Sequence, residues 1–338
     1  MRSRAIVVPL ADGERTRQNL RAAGWLRTDL KIVRSPGEIA LPVVAEAVVP
    51  PGGRAEEREF AAVAARGASS YADLLEWSAA EKELLPRSFD VVGDVVLVRV
   101  PPALEARSSE IGAALLGFVP GARIVGSDRG VHGPERRRTV ERIAGAGGWR
   151  TRHRENGVTL DVDVELAYFS PRLAREHARV AEEVRPGERV YDLCCGVGPF
   201  AVTIARDGRA RSVTAVDANP HAIELLRASL RRLTTATSVT PIAASIETFV
   251  ATAPPVERVV LNLPHEGIKY LPSVARTVAP RGRLYYYEVV PRDALPNRSN
   301  DLATMLATEF PAPVVDPHLV HPYSPSADLV AFVIGRPA

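Results

Sequence analysis

The stretch Arg189–Pro220, RVYDLCCGVGPFAVTIARDGRARSVTAVDANP, constrains the fold more than any other part of the chain. Val190 to Leu193 form a short apolar run suited to a buried strand. Gly196 and Gly198 follow in a tight loop, Pro199 opens a helix, and Ser212 to Val216 make a second strand that ends in Asp217. A strand, a glycine loop, a helix and an acidic strand end form the first half of a nucleotide-binding α/β domain. Without a Cβ at Gly196 and Gly198, the backbone can approach a ligand closely. Asp217 falls where a strand-end carboxylate meets ribose hydroxyls. Ala201 stands at the third glycine of the dinucleotide pattern, and Asp192, just before the loop, could meet a ligand's ammonium group. These features favour S-adenosylmethionine, a nucleoside with an amino-acid tail and no pyrophosphate, over NAD.

The alternation continues downstream. Helices are expected over 220–233, 267–278 and 301–309, and strands over 239–243, 257–261 and 282–290, with further strand candidates at 314–321 and 328–334. Such a chain gives a mostly parallel sheet closed by an antiparallel hairpin. Ligands bind at the carboxyl ends of such strands, where the glycine loop, Asp217, Ser245 and Asn262 all fall. The fold class is therefore α/β, a Rossmann-like domain preceded by smaller N-terminal α+β domains. Boundaries are expected at 1–65, 70–160 and 161–338. Pro50-Pro51-Gly52-Gly53 breaks the first unit, and the charged run Arg54 to Glu59 suits a linker or short helix. Asn156-Gly157 is the preferred two-residue hairpin turn and straddles the second boundary. The segment GSDRGVHGPERRRTVERIAG reads as polar and arginine-rich.

Charge is unevenly spread. The net charge of the whole chain is only +3, yet Arg136 to Arg179 holds ten arginines against six acids. Arginine forms forked hydrogen bonds to phosphate, although Arg136 to Arg138 also suit a solvated charge run. The two cysteines, Cys194 and Cys195, are adjacent, with no metal-binding spacing. A reducing, cytoplasmic location is expected, with no signal peptide and no membrane span.

Two further segments carry candidate chemistry. Ser170-Pro171 should start a helix, with Ser170 as its cap and Leu173, His177, Val180, Ala181 and Val184 as its apolar stripe. Arg172, Glu176 and Arg179 share another face, which suits a surface salt-bridge ladder, and His177 suits a packed helix histidine. Asn262-Leu263-Pro264-His265 ends the fourth strand. An Asn-x-Pro turn offers an amide and backbone carbonyls to a base edge, stiffened by proline, and resembles methyltransferases acting on ring nitrogens. It also makes an ordinary strand-to-helix turn.

The motifs AYFSPRLAREHAR (Ala167 to Arg179), YDLCCGVGPF (Tyr191 to Phe200), VDANPHAIELL (Val216 to Leu226), RVVLNLP (Arg258 to Pro264) and YSPSADLVAFVI together resemble the archaeal-type tRNA (guanine(37)-N1)-methyltransferases, a class I S-adenosylmethionine-dependent family. ERRRTVERIAG and RHRENG extend the likeness upstream, so that it covers most of the chain from about residue 85; the first unit fits more loosely. The resemblance implies Glu176 as general base, Arg136 beside guanine O6, and Asn262 and Pro264 near cofactor and base. Tyr168 and Arg172 belong to the same active-site segment. It implies cofactor contacts from His177, Asp217, Ala218, Ser245, Ile246 and Asn262, beside Asp192, Gly196 and Gly198. It also implies a monomer that meets the tRNA anticodon loop, with the first unit on the tRNA elbow. Ser245 departs from the family's usual acidic residue, a place Glu247 could take, and Cys194-Cys195 replaces a usual Phe-Ala pair.

The chemistry matches. Guanine N1 carries a proton at neutral pH, and charge develops on O6 when that proton leaves, so a carboxylate and a guanidinium are the groups required. The sulfonium is already an activated leaving group and calls for no metal. Alternatives are a wyosine-pathway methyltransferase or aminocarboxypropyltransferase acting on the same nucleotide, and a non-catalytic tRNA-binding homologue.

Overall fold

The computed structural model describes residues 2–27, 30–60, 68–133, 137–310 and 312–337. The chain divides into two units, Met1–Asp73 and Leu74–Ala338; the expected stretch 161–338 and all of 70–160 beyond residue 73 lie together in the second.

In the first unit, β1 (Arg2–Pro9), α1 (Gly13–Ala22), β2 (Val33–Ser35), β3 (Glu38–Pro42) and β4 (Arg54–Glu59) build a sheet of order β2-β3-β1-β4. Strand β1 is buried on both faces: Ile6 and Val8 pack with Leu20 and Leu41, while Ala5 and Val7 pack with Leu30 and Phe60. The run Arg54–Glu59 is a strand, contrary to the expected linker or helix. It pairs antiparallel with β1, and Arg54 forks onto Glu38 at 2.6 and 2.7 Å. A charged sequence suits an edge strand because it discourages further pairing.

The second unit begins with α2 (Ala79–Glu83) and a four-stranded sheet of β5 (Phe89–Val92), β6 (Val95–Val98), β7 (Ile124–His132) and β8 (Arg137–Gly145), with α3 (Ser108–Phe118) between β6 and β7. The arginine-rich segment is thus largely the β7–β8 ladder. The hairpin β9 (Arg150–Glu155) and β10 (Val158–Asp163) turns at Asn156 and Gly157, whose φ values of 45° and 73° fit the twisted two-residue turn that this pair favours.

The remaining elements alternate: α4 (Ala174–Glu183), β11 (Arg189–Leu193), α5 (Pro199–Arg206), β12 (Ser212–Asp217), α6 (Pro220–Leu230), β13 (Ser238–Ala243), α7 (Ile246–Val250), β14 (Val256–Leu261), α8 (Leu271–Ala275), β15 (Val278–Pro291), α9 (Leu295–Leu306), β16 (Val314–Ser324) and β17 (Ala327–Gly335). The seven strands stand in the order β13-β12-β11-β14-β15-β17-β16. Neighbours from β13 to β15 are parallel, and β17 and β16 add antiparallel. This is the Rossmann-like sheet with its terminal hairpin.

Side chains alternate across the sheet. Val190, Val213, Ala215, Tyr285 and Tyr287 join the core with Phe200, Ile204, Ile223 and the β9–β10 hairpin. Tyr191, Leu193, Val259, Leu261 and Tyr286 join the opposite core with Leu271, Val274 and Leu302. Residues in both layers are buried, which is why these strands read as continuous apolar runs.

Candidate active site

The loop after β11 is held by backbone geometry and one carboxylate. Cys194, Gly196 and Gly198 have φ of 59°, 56° and 79°. A Cβ on Gly198 would stand 2.4 Å from Leu226 Cδ1. The missing Cβ at that glycine therefore makes room for helix α6. At Gly196 the nearest atom to a Cβ is the Tyr168 carbonyl oxygen, at 3.4 Å, so this glycine is the more open one. Asp217 braces the loop: Oδ2 accepts the Gly196 N–H at 2.7 Å and Oδ1 accepts the Asn219 N–H at 2.8 Å.

Asn219 was not singled out by the sequence. It caps α6 through His221 N–H at 3.0 Å and donates to the Leu166 carbonyl at 2.7 Å. Its signal was the cap position before Pro220. Ala218 is exposed. The Ala244 N–H donates to the Asp217 carbonyl at 3.0 Å, which brings Ser245 and Ile246 beside the same strand end. Ser245 accepts the Thr248 N–H at 3.2 Å and so caps α7; where it departs from the family pattern it has taken a structural task.

Asp192 is fully buried. Its Oδ2 accepts the Ala201 N–H at 3.0 Å, and Oδ1 has no hydrogen-bond partner among the described residues. Burial pushes this carboxyl up to about 8, against the Ala201 N–H and with the Asp217 charge adding to the rise.

The segment before α4 runs past this loop. Ser170 precedes a short 3-10 turn, Pro171–Leu173, and makes no side-chain cap hydrogen bond, contrary to expectation. The Tyr168 ring is partly exposed and lies 5.4 Å from the Arg138 guanidinium carbon. Arg138 is buried, donating to Asp128 at 3.0 Å and to the Phe169 carbonyl at 3.4 Å. It was hidden in an apparent charge run, where nothing in the spacing marked it for burial. Arg136 lies outside the described residues. Arg172 turns to Asp90 at 2.8 Å, away from the ladder expected with Glu176.

Glu176 is only 3% exposed. Its Oε1 accepts Arg179 Nη2 at 2.5 Å and the Tyr287 hydroxyl at 2.6 Å; its Oε2 accepts Arg179 Nε at 2.9 Å. His318 Nε2 lies 3.6 Å from Oε2. Burial works to raise this carboxyl, but the Arg179 fork, the Tyr287 hydroxyl and the His318 charge outweigh it and hold it below the usual carboxylate range. Arg179 is therefore the partner that the sequence spacing offered, but the face is not wet. His177 is buried too. Its Nδ1 meets Glu155 Oε1 at 2.7 Å, its ring stands edge-on to Phe200 at 4.5 Å, and Nε2 has no partner among the described residues.

Asn262 and Pro264 are half-buried in the turn after β14. The Pro264 carbonyl accepts the Val289 N–H at 3.1 Å, and the Leu263 carbonyl accepts the Gly267 N–H at 2.7 Å. The β14–β15 register ends at Leu261↔Tyr286, so Asn262 and Tyr287 follow at the same sheet edge. Tyr287 in turn touches Glu176. The structure thus gathers Glu176, the Asn-x-Pro turn, the glycine loop and Asp217 along the carboxyl edge of one sheet.

Residues 151–315 match the TRM5/TYW2 methyltransferase domain, residues 71–148 the TYW2 N-terminal domain, and residues 5–49 the tRNA methyltransferase 5 N-terminal domain. The chain is 33% identical over 286 residues to the tRNA (guanine(37)-N(1))-methyltransferase Trm5b of Pyrococcus abyssi, covering 84% of this chain and 83% of that one. It is similar to the crystal structure of Pyrococcus abyssi Trm5b with a TM-score of 0.77 and 29% identity, over 98% of this chain and 99% of that one. It is similar to aTrm5 in its complex with tRNALeu with a TM-score of 0.73 and 26% identity, again over 98% and 99%.

One consequence of the geometry is directly measurable. A depressed titration in the folded state means that Glu176 contributes stability above the ordinary carboxylate range, lost as pH falls through its folded-state titration. Tyr287→Phe removes one donor to the charged form and should move this titration upward, with a stability loss of about 1.5–3 kcal/mol at neutral pH. Carbon-13 NMR of the glutamate carboxyls, parent against variant, checks it; an unchanged Glu176 titration would show that the hydroxyl does not hold the charge.

Proposed function

The chain belongs to the TRM5/TYW2 methyltransferase family, and from that premise we propose that it is an enzyme that methylates N1 of guanosine 37 in tRNA, with S-adenosylmethionine as donor. The observation that carries the reading is the buried, ionised Glu176 at the sheet edge shared with the Asn262 turn and the glycine loop.

In this reading Glu176 removes the guanine N1 proton. Oε1 already accepts two donors, whereas Oε2 accepts only Arg179 Nε within hydrogen-bond distance among the described residues. Oε2 is thus the atom with room for the incoming N1–H. A carboxyl held below its usual range is a weaker base but is fully ionised at neutral pH, so its contribution is position and charge at the reacting nitrogen. Arg136 would stabilise the charge on O6, and Asn262 with the turn carbonyls would hold the base edge. Tyr168 would form part of the wall beside Gly196.

S-adenosylmethionine supplies an activated methyl group. The residues present fit it. Gly196 offers an open backbone, and Asp192 keeps one buried oxygen with no hydrogen-bond partner among the described residues, suited to an ammonium group. Asp217 would meet the ribose, since its carboxylate stands at the strand end and can accept several donors, the Gly196 and Asn219 N–H groups among them. His177, Ala218, Ser245 and Ile246 would complete the surround. The first unit is proposed to read the tRNA elbow.

Nucleoside mass spectrometry tests the function. Full-length tRNA and its isolated anticodon stem-loop are treated with enzyme and methyl-labelled cofactor. The expected product is labelled 1-methylguanosine at position 37, formed more readily on the full tRNA. A second reading, aminocarboxypropyl transfer in the wyosine pathway, is motivated by the match of residues 71–148 to the TYW2 N-terminal domain. It would give a nucleoside heavier by an unlabelled aminocarboxypropyl group, with the label left on the methylthioadenosine released, and no labelled 1-methylguanosine.

Asp192 gives a separate test of the cofactor. With its carboxyl at about 8 in the unliganded protein, it is largely neutral at pH 7. An ammonium beside it favours the ionised form, so binding should release close to one proton at pH 7. Calorimetry in buffers of different ionisation enthalpy reads this number; no proton release would mean that the ammonium is held elsewhere.

A further inference from the structure

His265 follows the Asn262–Pro264 turn, and Tyr323 stands near the end of β16, just before the turn into β17. The two are 58 residues apart in sequence, yet His265 Nε2 lies 3.1 Å from the Tyr323 hydroxyl. Their rings meet edge to face, with centroids 5.5 Å apart and planes at 68°. Both are exposed, Tyr323 to 52%. Tyr71, Tyr191, Tyr285, Tyr286 and Tyr287 are all buried. An aromatic ring held by a hydrogen bond but left open to water is a surface arrangement without a packing reason.

Its place in the fold gives it one. The Pro264 carbonyl bonds Val289, Val289 pairs with Leu329, and Leu329 pairs with His321, two residues before Tyr323. The pair therefore lies on the carboxyl edge of the sheet, next to the Asn262 turn. The same strand carries His318, 3.6 Å from Glu176. Strand β16 thus borders both the buried carboxylate and the turn.

A guanine whose N1 must reach a buried carboxylate has to leave its base stack, and its neighbours then lose a stacking partner. Single-stranded bases recover that loss on exposed aromatic rings. We propose that the His265–Tyr323 pair is a stacking platform for a nucleobase flanking the target guanosine. The inference rests on the RNA-substrate reading above. Neither residue acts in proton removal; their task is to hold the opened anticodon loop so that the target stays at the site.

The test uses the full chain and tRNA carrying 2-aminopurine on either side of position 37, whose fluorescence falls on stacking. Tyr323→Ala should weaken tRNA binding by about 5- to 150-fold, the equivalent of about 1–3 kcal/mol, and abolish the parent's quenching at one flanking position. Tyr323→Phe keeps the ring and loses the hydrogen bond, and should keep both quenching and affinity to within about threefold. Cofactor affinity should be unchanged in both. Parent-like binding and quenching in Tyr323→Ala would overturn the proposal. So would equal losses in Tyr323→Phe and Tyr323→Ala, which would make the pair a pin for the loop and nothing more. His265→Ala and Tyr323→Leu serve as second variants, expected to weaken quenching while melting like the parent. If the parent itself neither bound nor methylated tRNA, the functional reading would fail first and this inference with it.

Discussion

A carboxylate at 3% exposure persists as an anion only where its surroundings replace water, and Glu176 is surrounded by a polar network that also fastens helix α4 to the sheet. Arg179 bonds Glu176 and, at 2.5 Å, Glu183. Glu183 accepts the Tyr285 hydroxyl at 2.8 Å. Arg258, itself 3% exposed, bonds the Tyr285 hydroxyl, the Glu183 carbonyl at 2.5 Å and Glu188 at 2.7 Å. Arg179 and Arg258 thus offset the carboxylates Glu176 and Glu183 of α4, and two tyrosines of β15 donate hydroxyls to them. Removing a buried charge such as Arg258 leaves its carboxylate partner Glu188 unpaired, at a cost of about 3–5 kcal/mol. The same bonds that make the burial tolerable fix where the carboxylate stands.

The carboxyl edge is assembled from sequence-distant pieces by single hydrogen bonds of this kind. Asn156, in the β9–β10 turn, donates to the Ala174 carbonyl at the start of α4 at 2.7 Å. Asn219 ties the segment before Tyr168 to α6, and Asp217 ties the glycine loop to β12. Arg138 ties β8 to Phe169. The bonds from Asn219 and Arg138 satisfy carbonyls of residues 166 and 169, outside any helix or strand, and Asp217 takes the Gly196 N–H of the loop. The edge is therefore held in place before a ligand arrives, and a bound cofactor would add donors to carboxylates already oriented.

Much of the fold could be read from the sequence because it is periodic. The apolar runs of β11, β12, β14 and β15 are buried on both faces, and the glycine loop follows from backbone conformation that few residues adopt. Strands β4 and much of the β7–β8 ladder escaped because edge and surface strands carry charge at every exposed position, which obscures the period of two. The site was legible in its residue types but not in its environment. Arg179 stands three residues after Glu176, the spacing of an ordinary surface ion pair. Tyr287, 111 residues away, and His318 distinguish a buried anion from a wet ladder. Gly198 shows the same limit: a tight loop was expected there, but the sequence did not show that Leu226 packs where its Cβ would stand.

The central claim is that this buried carboxylate removes the proton from guanine N1. Single-turnover methyl transfer to tRNA by Glu176→Gln measures it directly, because glutamine keeps the shape and cannot take the proton. The account predicts a variant that folds and binds cofactor and tRNA close to normally and transfers methyl about 10²–10⁴-fold more slowly. A Glu176→Gln enzyme with the parent's single-turnover rate would contradict it and assign the proton to another group.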